Sequence, residues 1–277
     1  MNIKAIQNKK TKKYPTTIDI LVYILIIIFC FSIAGIVSHN SIFLTTSITI
    51  FIYLLTLIGA IFSILFYRKL RSGKISDIFS AFSFKKYSPL YLFWGILAIL
   101  ALRIVLMPIL PKLQDSLDTT IKMLDSFGGF MIGIVIIGAP LFEETLFRGV
   151  FLNDIRQKYG TLAAIIISAI ILGTIHLSLT RFISAASYGV VFGYIYVLTK
   201  SLWSVVILHA INNAIAITLV KLFPSGTLSE IKSQSLISDS AQYITFYLSC
   251  AIVLTTIISM IIVCSKEDKN KKMTNKI

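Results

Sequence analysis

The sequence predicts an all-α, polytopic membrane protein with about eight transmembrane helices. Of its 277 residues, 56% are hydrophobic and only 14% are charged, and long apolar runs recur along the whole chain. Such runs approach the roughly 20 residues that a helix needs to cross a bilayer. Basic residues concentrate between these runs and give a formal net charge of +14. This placement indicates contact with anionic lipid at an inner face and argues against nucleic acid as a partner.

The first 128 residues are predicted to hold a basic tail and three membrane-spanning helices. Residues 1–17 carry five lysines and no acid, which predicts a cytosolic tail. Apolar runs predict helices over residues 18–37, 41–67 and 89–107, and Arg103 within the last of these must snorkel or pair. Residues 68–86 carry six basic residues and one acid, which is typical of an amphipathic segment on the inner leaflet or of a solvated loop. We regard residues 18–128 as a variable transmembrane region that identifies no substrate.

The second half of the chain is predicted to hold five further helices. The fourth begins near residue 129, and a polar turn at residues 154–160 separates it from helices over residues 161–177, 182–198 and 202–222. Residues 223–264 are predicted to form an outer loop and the last transmembrane helix, and residues 265–277 a basic cytosolic tail. Both termini are then cytosolic, in an integral protein of the plasma membrane. Cys30, Cys250 and Cys264 all lie in apolar segments and are predicted to be buried thiols without a disulfide.

The most informative residues lie in the fourth helix, in the stretch from Pro140 to Gly149 that reads P-L-F-E-E-T-L-F-R-G. Glu143, Glu144 and Arg148 interrupt an apolar run, where an ionisable side chain costs roughly 2.5 to 3.5 kcal/mol at a helix centre. A functional or paired role is therefore predicted, with a structural cluster at a helix end as the alternative. Pro140 lacks a backbone N–H group, which predicts a kink just before Glu143.

The spacing of this cluster predicts different roles for the two glutamates. Glu144 lies four residues before Arg148, which predicts an ion pair on one face of the helix. Glu143 points about 100° away, toward Phe147, because successive side chains of a helix are that far apart. A carboxylate in such an apolar setting is suited to act as a general base.

Two histidines on later helices complete the candidate site. Glu143 and His176 lie at nearly equal distances from Gly160, so an antiparallel helix pair that turns there brings them to one depth, roughly 24 Å from the turn. His209 and Asn213 are four residues apart and share a helix face. From spacing alone, these two residues could bind a metal, donate to an oxyanion or hydrogen-bond a neighbouring helix.

The small residues of the helix between these two histidines have a simpler interpretation. Ala185, Gly189 and Gly193 recur at intervals of four residues. This spacing predicts a helix whose backbone packs closely against a neighbouring helix.

Together these motifs resemble the CPBP family of intramembrane proteases, which includes the type II CAAX prenyl endopeptidases and bacterial Abi or bacteriocin-immunity proteins. The resemblance rests on E-E-x-x-x-R, on a histidine closing the next helix and on H-x-x-x-N, and it covers about residues 130–214. We therefore expect residues 129–222 to form a CPBP-like catalytic helical core. One departure is Leu172, which stands where the family motif F-x-x-x-H has phenylalanine.

The resemblance implies an endopeptidase that cuts a membrane-anchored peptide or protein. It assigns to Glu143 and His176 the positioning and deprotonation of the attacking water. His209 and Asn213 would stabilise the oxyanion, and Glu144 and Arg148 would support the first motif.

Zinc is a candidate cofactor, because the family is described both as metalloproteases and as metal-independent glutamate proteases. If a metal takes part, its ligands would be Glu143, His176 and His209. Two alternatives to a protease remain open from the sequence. One is a non-enzymatic membrane protein for bacteriocin self-immunity or surface-protein display. The other, a proton-coupled transporter, is less favoured because no repeat of broken helices is apparent in the two halves.

Overall fold

The computed structural model of the chain describes residues 14–40, 46–72, 76–84, 88–106, 132–176, 178–222 and 239–274. Within these ranges the protein is helical and has no strand. Four helical stretches there are long and apolar enough to cross a membrane: Pro89–Leu106, Leu179–Thr199, Leu202–Leu219 and Ser240–Asn270. Two shorter apolar helices accompany them. The all-α membrane fold is therefore confirmed, whereas the number of about eight spans stays a prediction.

The helices of the described ranges follow one another in chain order. They are α1 (Thr17–Asn40), α2 (Thr46–Ser72), α3 (Ser76–Ala81), α4 (Pro89–Leu106), α5 (Ile134 to Tyr159), α6 (Thr161–Thr174), α7 (Leu179–Thr199), α8 (Leu202–Leu222) and α9 (Asp239–Thr274). The predicted helices overlap α1, α2 and α4 to α9. The tail up to residue 13, the stretch at 107–131 between α4 and α5, and the loop at 223–238 lie outside the described residues.

Helix α5 carries the first motif and changes its winding along its length. It consists of a π-helical segment Ile134–Gly138, an α-helical segment Ala139–Glu144, a π-helical segment Thr145–Leu152 and an α-helical segment Asn153–Tyr159. The backbone N–H of Ala139 donates to the carbonyl of Ile134, five residues earlier. Pro140 cannot donate a backbone hydrogen bond, so the disturbance predicted there takes the form of wide turns before the two glutamates.

The polar turn predicted at residues 154–160 is wrong. Helix α5 continues to Tyr159, and the chain turns only at Gly160, whose φ of 90° favours glycine. Asp154 is fully buried, forms an ion pair with Arg68 at 3.1 Å and accepts a hydrogen bond from Tyr23 at 2.8 Å. Because its partners lie on α1 and α2, the charge that suggested a loop is satisfied inside the bundle.

The predicted end of the last helix at Cys264 is also wrong, since α9 continues to Thr274. Glu267 accepts hydrogen bonds from Arg156 at 2.9 Å and Lys200 at 2.8 Å. Asp268 accepts one from the backbone N–H of Thr161 at 3.0 Å and so caps the start of α6. The segment that resembled a solvated tail is thus helical and docked on the Gly160 turn.

The basic segment at residues 68–86 begins within the last turns of α2, and some of its basic side chains face the bundle. Arg68 is buried against Asp154, and Arg71 bonds Asp19 at 2.8 Å. Helix α3 follows within the same segment. Two of the six basic side chains are therefore satisfied by carboxylates of the bundle, and contact of this segment with anionic lipid stays a prediction.

Large apolar side chains cover the outer faces of several helices. Leu25, Phe29, Phe62 and Tyr247 each expose more than 60% of their surface. Apolar residues on the outside of a helical bundle are typical of packing in lipid. Of the three cysteines, Cys264 is buried as predicted, whereas Cys30 and Cys250 are half-buried; all three are free thiols.

Helices α6 and α7 pack closely through small residues, as predicted. A Cβ atom added to Gly189 would lie 3.1 Å from the Cβ of Ala169, and one added to Gly193 would lie 3.1 Å from a side-chain atom of Ile165. Both distances are shorter than ordinary van der Waals contact. Glycine therefore allows the approach of α7 to α6 that the site requires.

We expect Gly160→Ala to lower the free energy of unfolding by about 1–3 kcal/mol, the cost of holding a side chain in this backbone region. Its Cβ would also lie 2.8 Å from a carboxylate oxygen of Asp268 and disturb the capped start of α6. Thermal unfolding of purified protein in detergent measures the effect. Gly59→Ala, inside α2 with open space around its Cβ, is the matched control and should unfold no earlier than the wild type. Equal melting of the two variants would contradict the role of the turn.

Candidate active site

The first motif lies in the core of the bundle. Arg148 and Glu144 are fully buried and Glu143 is 4% exposed. The predicted ion pair is present, with Arg148 Nη1 3.0 Å from Glu144 Oε1. Arg148 Nη2 also donates to the backbone carbonyl of Gly189 at 2.8 Å, and its guanidinium lies 5.6 Å from the centre of the Phe192 ring. Arg148 thus ties α5 to α7.

His209 extends this chain of contacts from α8. Its Nδ1 lies 2.8 Å from Glu144 Oε1, and its Nε2 lies 3.9 Å from Glu143 Oε2. The imidazole also stacks on Phe192, with ring centres 4.9 Å apart and planes 29° apart. Because Glu144 accepts a hydrogen bond through Nδ1–H, it fixes the tautomer and turns Nε2 toward Glu143.

His176 closes α6 and lies near the same group. Its backbone N–H donates to the carbonyl of Gly173 at 3.2 Å, in the turn just after Thr174. The half-buried imidazole interacts electrostatically with both Glu143 and His209. The antiparallel pair of α5 and α6 therefore brings His176 toward Glu143, as the equal spacing around Gly160 predicts.

Asn213 lies one turn after His209, but its amide reaches α5 in a way that the spacing did not predict. Its Nδ2 donates to the carbonyl of Val135 at 3.0 Å, inside the first π-helical segment. An amide nitrogen carries two N–H groups, so this bond orients the side chain and uses one of them. The half-buried Asn213 can therefore direct a second N–H group toward the site.

Several contact residues of the site were not predicted as such. The ring of Phe192 contacts both His209 and Arg148. Nothing in the sequence of its helix distinguishes Phe192 from the other packing residues. Gly189 was predicted only as a packing position. Arg103 was predicted only to snorkel or pair, and it donates a hydrogen bond to the side chain of Asn212.

The candidate metal ligands do not form a metal centre here. Among the residues that the structure describes, no group of three or more His, Cys, Asp or Glu side chains is placed to hold a metal ion. One nitrogen of His209 is bonded to Glu144, which is itself bonded to Arg148. That bond leaves Nε2 of His209 available, and histidines that bind metals commonly make such a bond to a carboxylate. Zinc thus remains a candidate from the sequence, and the chemistry below is derived from the side chains alone.

The arrangement suits acid–base chemistry on a water molecule. A separation of 3.9 Å between His209 Nε2 and Glu143 Oε2 is too long for a direct hydrogen bond. It is short enough for one water molecule to contact both atoms at about 2.8 Å. Glu143 can then accept a proton from that water, while Arg148 and Glu144 keep the imidazole in place.

Comparison with known proteins agrees with the site. Residues 126–215 match the family model described as Type II CAAX prenyl endopeptidase Rce1-like. A Bacillus subtilis (strain 168) protein named "Putative membrane peptidase YdiL" is 28% identical over 87 residues, which are 31% of this chain and 36% of that protein. The chain thus matches about a third of that relative's length. No solved structure matches this chain. These matches support, for residues 126–215, the resemblance to the CPBP family that the motifs predict.

Proposed function

We propose that the protein is an intramembrane endopeptidase that hydrolyses a peptide bond of a membrane-anchored substrate. The observation that carries this proposal is the buried chain Arg148–Glu144–His209, which turns one imidazole nitrogen toward Glu143. The match to type II CAAX prenyl endopeptidases supports a peptidase, and the apolar bundle supports a substrate held in or at the membrane.

The first chemical step uses Glu143 as the general base. Glu143 accepts one proton from the water, and the resulting hydroxide attacks the carbonyl carbon of the peptide bond. His176, which interacts electrostatically with Glu143, helps to position the water. General base catalysis of this kind contributes typically 10² to 10⁴-fold to a rate.

The attack leaves a negative charge on the former carbonyl oxygen, and two side chains are placed to stabilise it. His209, oriented by Glu144 through Nδ1–H, donates to this oxygen through Nε2–H. Asn213 donates the N–H group that does not bond Val135. The protonated Glu143 then returns its proton to the leaving nitrogen as the tetrahedral intermediate collapses.

We expect Glu143→Gln to lower the turnover of a membrane-anchored peptide by at least about 10²-fold, because the amide cannot accept the proton. The measurement is mass spectrometry of products from reconstituted wild type and variant, each with and without a strong chelator. Thermal unfolding shows whether the variant remains folded, as expected from a nearly isosteric change.

The two sets of reactions separate the possible outcomes. Product from the wild type in both buffers supports the mechanism above. Loss of product with chelator would place a metal in the reaction and overturn the side-chain mechanism. No product from folded wild type, over a panel of prenylated and transmembrane peptides, would favour the non-enzymatic immunity or display function instead.

We expect Arg148→Met to lower the free energy of unfolding by about 3–5 kcal/mol, because it leaves the buried charge of Glu144 without its cation. Adding Glu144→Gln should recover part of that loss without restoring activity, since the amide no longer orients His209 as the carboxylate does. Arg148→Lys should retain part of the activity, because a lysine can reach either Glu144 or the Gly189 carbonyl but not both.

Denaturant titration and peptide cleavage measure these effects together. The control Arg156→Met removes a half-exposed ion pair with Glu267 and should cost at most about 1 kcal/mol. Wild-type turnover in Arg148→Met would contradict the pairing.

A further inference from the structure

A second arginine, Arg103 of α4, lies close to the site and belongs to none of the motifs. Its Nη2 donates to the side-chain oxygen of Asn212 at 2.9 Å and to the backbone carbonyl of the same residue at 3.3 Å. Its guanidinium lies 5.8 Å from the centre of the Tyr188 ring. Arg103 is half-buried, so part of the side chain remains accessible.

The partners of Arg103 hold it without neutralising it. An amide oxygen and an aromatic face are both uncharged. Within the described ranges, Arg103 and the exposed Arg181 form no ion pair, whereas the other four arginines each pair with a carboxylate. These are Arg68, Arg71, Arg148 and Arg156. A cation within a membrane helix is costly unless an anion compensates it, which points to a functional role.

Contiguous contacts connect Arg103 to the candidate catalytic group. Tyr188 stacks on Phe192 with ring centres 6.5 Å apart, and Phe192 stacks on His209. On α8, Asn212 follows His209 by three residues, a distance of about 4.5 Å along the helix axis. An extended peptide covers that distance in one to two residues, at about 3.3 Å per residue.

We infer that Arg103 is a specificity-determining residue that binds a carboxylate of the substrate, about one to two residues from the bond that is cut. This inference rests on the proposed peptidase function. Nη2 of the guanidinium bonds Asn212, which leaves the N–H groups of Nη1 and Nε to donate to the two oxygens of a carboxylate. That carboxylate belongs either to the C-terminus of the peptide or to an acidic side chain next to the cleaved bond.

Matched peptides test this inference on the whole protein in detergent. The probes are farnesylated fluorescent peptides with a free C-terminal carboxylate, with a C-terminal amide, and with an internal Asp or Asn near the cleaved bond. We expect the wild type to prefer one carboxylate-bearing member of its pair by roughly 30-fold or more in kcat/KM, mainly through KM.

Three variants assign that preference to Arg103. Arg103→Gln should abolish it by slowing only the carboxylate peptide, and Arg103→Lys should keep part of it. Lys158→Gln, which removes one exposed surface charge, should leave it unchanged. Comparison of the C-terminal pair of peptides with the internal pair shows which carboxylate Arg103 binds.

Equal cleavage of both members of each pair by the wild type would overturn the inference without any variant, even if Arg103→Gln failed to fold. So would an Arg103→Gln protein that slows both members alike, which is the result expected of a structural arginine.

Binding of the same peptides, measured by fluorescence anisotropy, distinguishes failure of the peptidase proposal from failure of the proposed anion site. A carboxylate preference in binding that is lost in Arg103→Gln, with no cleavage by the wild type, would retain the anion site and reject the protease. Absence of any preference in binding and in cleavage would reject the anion site.

Discussion

The buried charge of Arg148 is the constraint on which the rest of the site depends. A guanidinium with no exposure is stable in a bundle only if its charge is compensated there. Glu144 supplies the charge, Gly189 a carbonyl and Phe192 an aromatic face. The carbonyl is reachable because Gly189 carries no side chain, and the same glycine lets α7 approach Ala169 of α6. One ion pair therefore fixes the packing of α5, α6 and α7 together.

The two glutamates acquire different roles because of this ion pair. Glu144 is committed to Arg148 and, through the same oxygen, to His209. Glu143 lies on the neighbouring face and meets His209 only across 3.9 Å. The wide turns on both sides of the Ala139–Glu144 segment change the direction of side chains along α5. Asn213 stabilises the first of these segments through the Val135 carbonyl. The H-x-x-x-N motif on α8 thus supports the backbone of α5 that carries the E-E-x-x-x-R motif.

Local spacing predicted the contacts that lie within one helix or one hairpin. The four-residue interval between Glu144 and Arg148 predicted their ion pair, and the symmetry of Glu143 and His176 about Gly160 predicted their approach. Partners distant in sequence were missed, because no period links them. Asp154 is satisfied by Arg68, 86 positions earlier, and Glu267 bonds Arg156, 111 positions earlier. Polar residues that suggested a loop and a tail are therefore buried or docked by helices elsewhere in the chain.

The same physical rule distinguishes Arg148 from Arg103. Arg148 is fully buried and has an internal carboxylate, so its charge is part of the fold and a substrate has nothing to add to it. Arg103 is held by an amide and a tyrosine ring at a half-buried position, so its orientation is fixed while its charge is left for a partner. Because no described carboxylate compensates this charge, we assign that role to the substrate. The aromatic stack of Tyr188 and Phe192 connects Arg103 to the imidazole of His209, so the proposed substrate contact and the candidate catalytic group belong to one packed core.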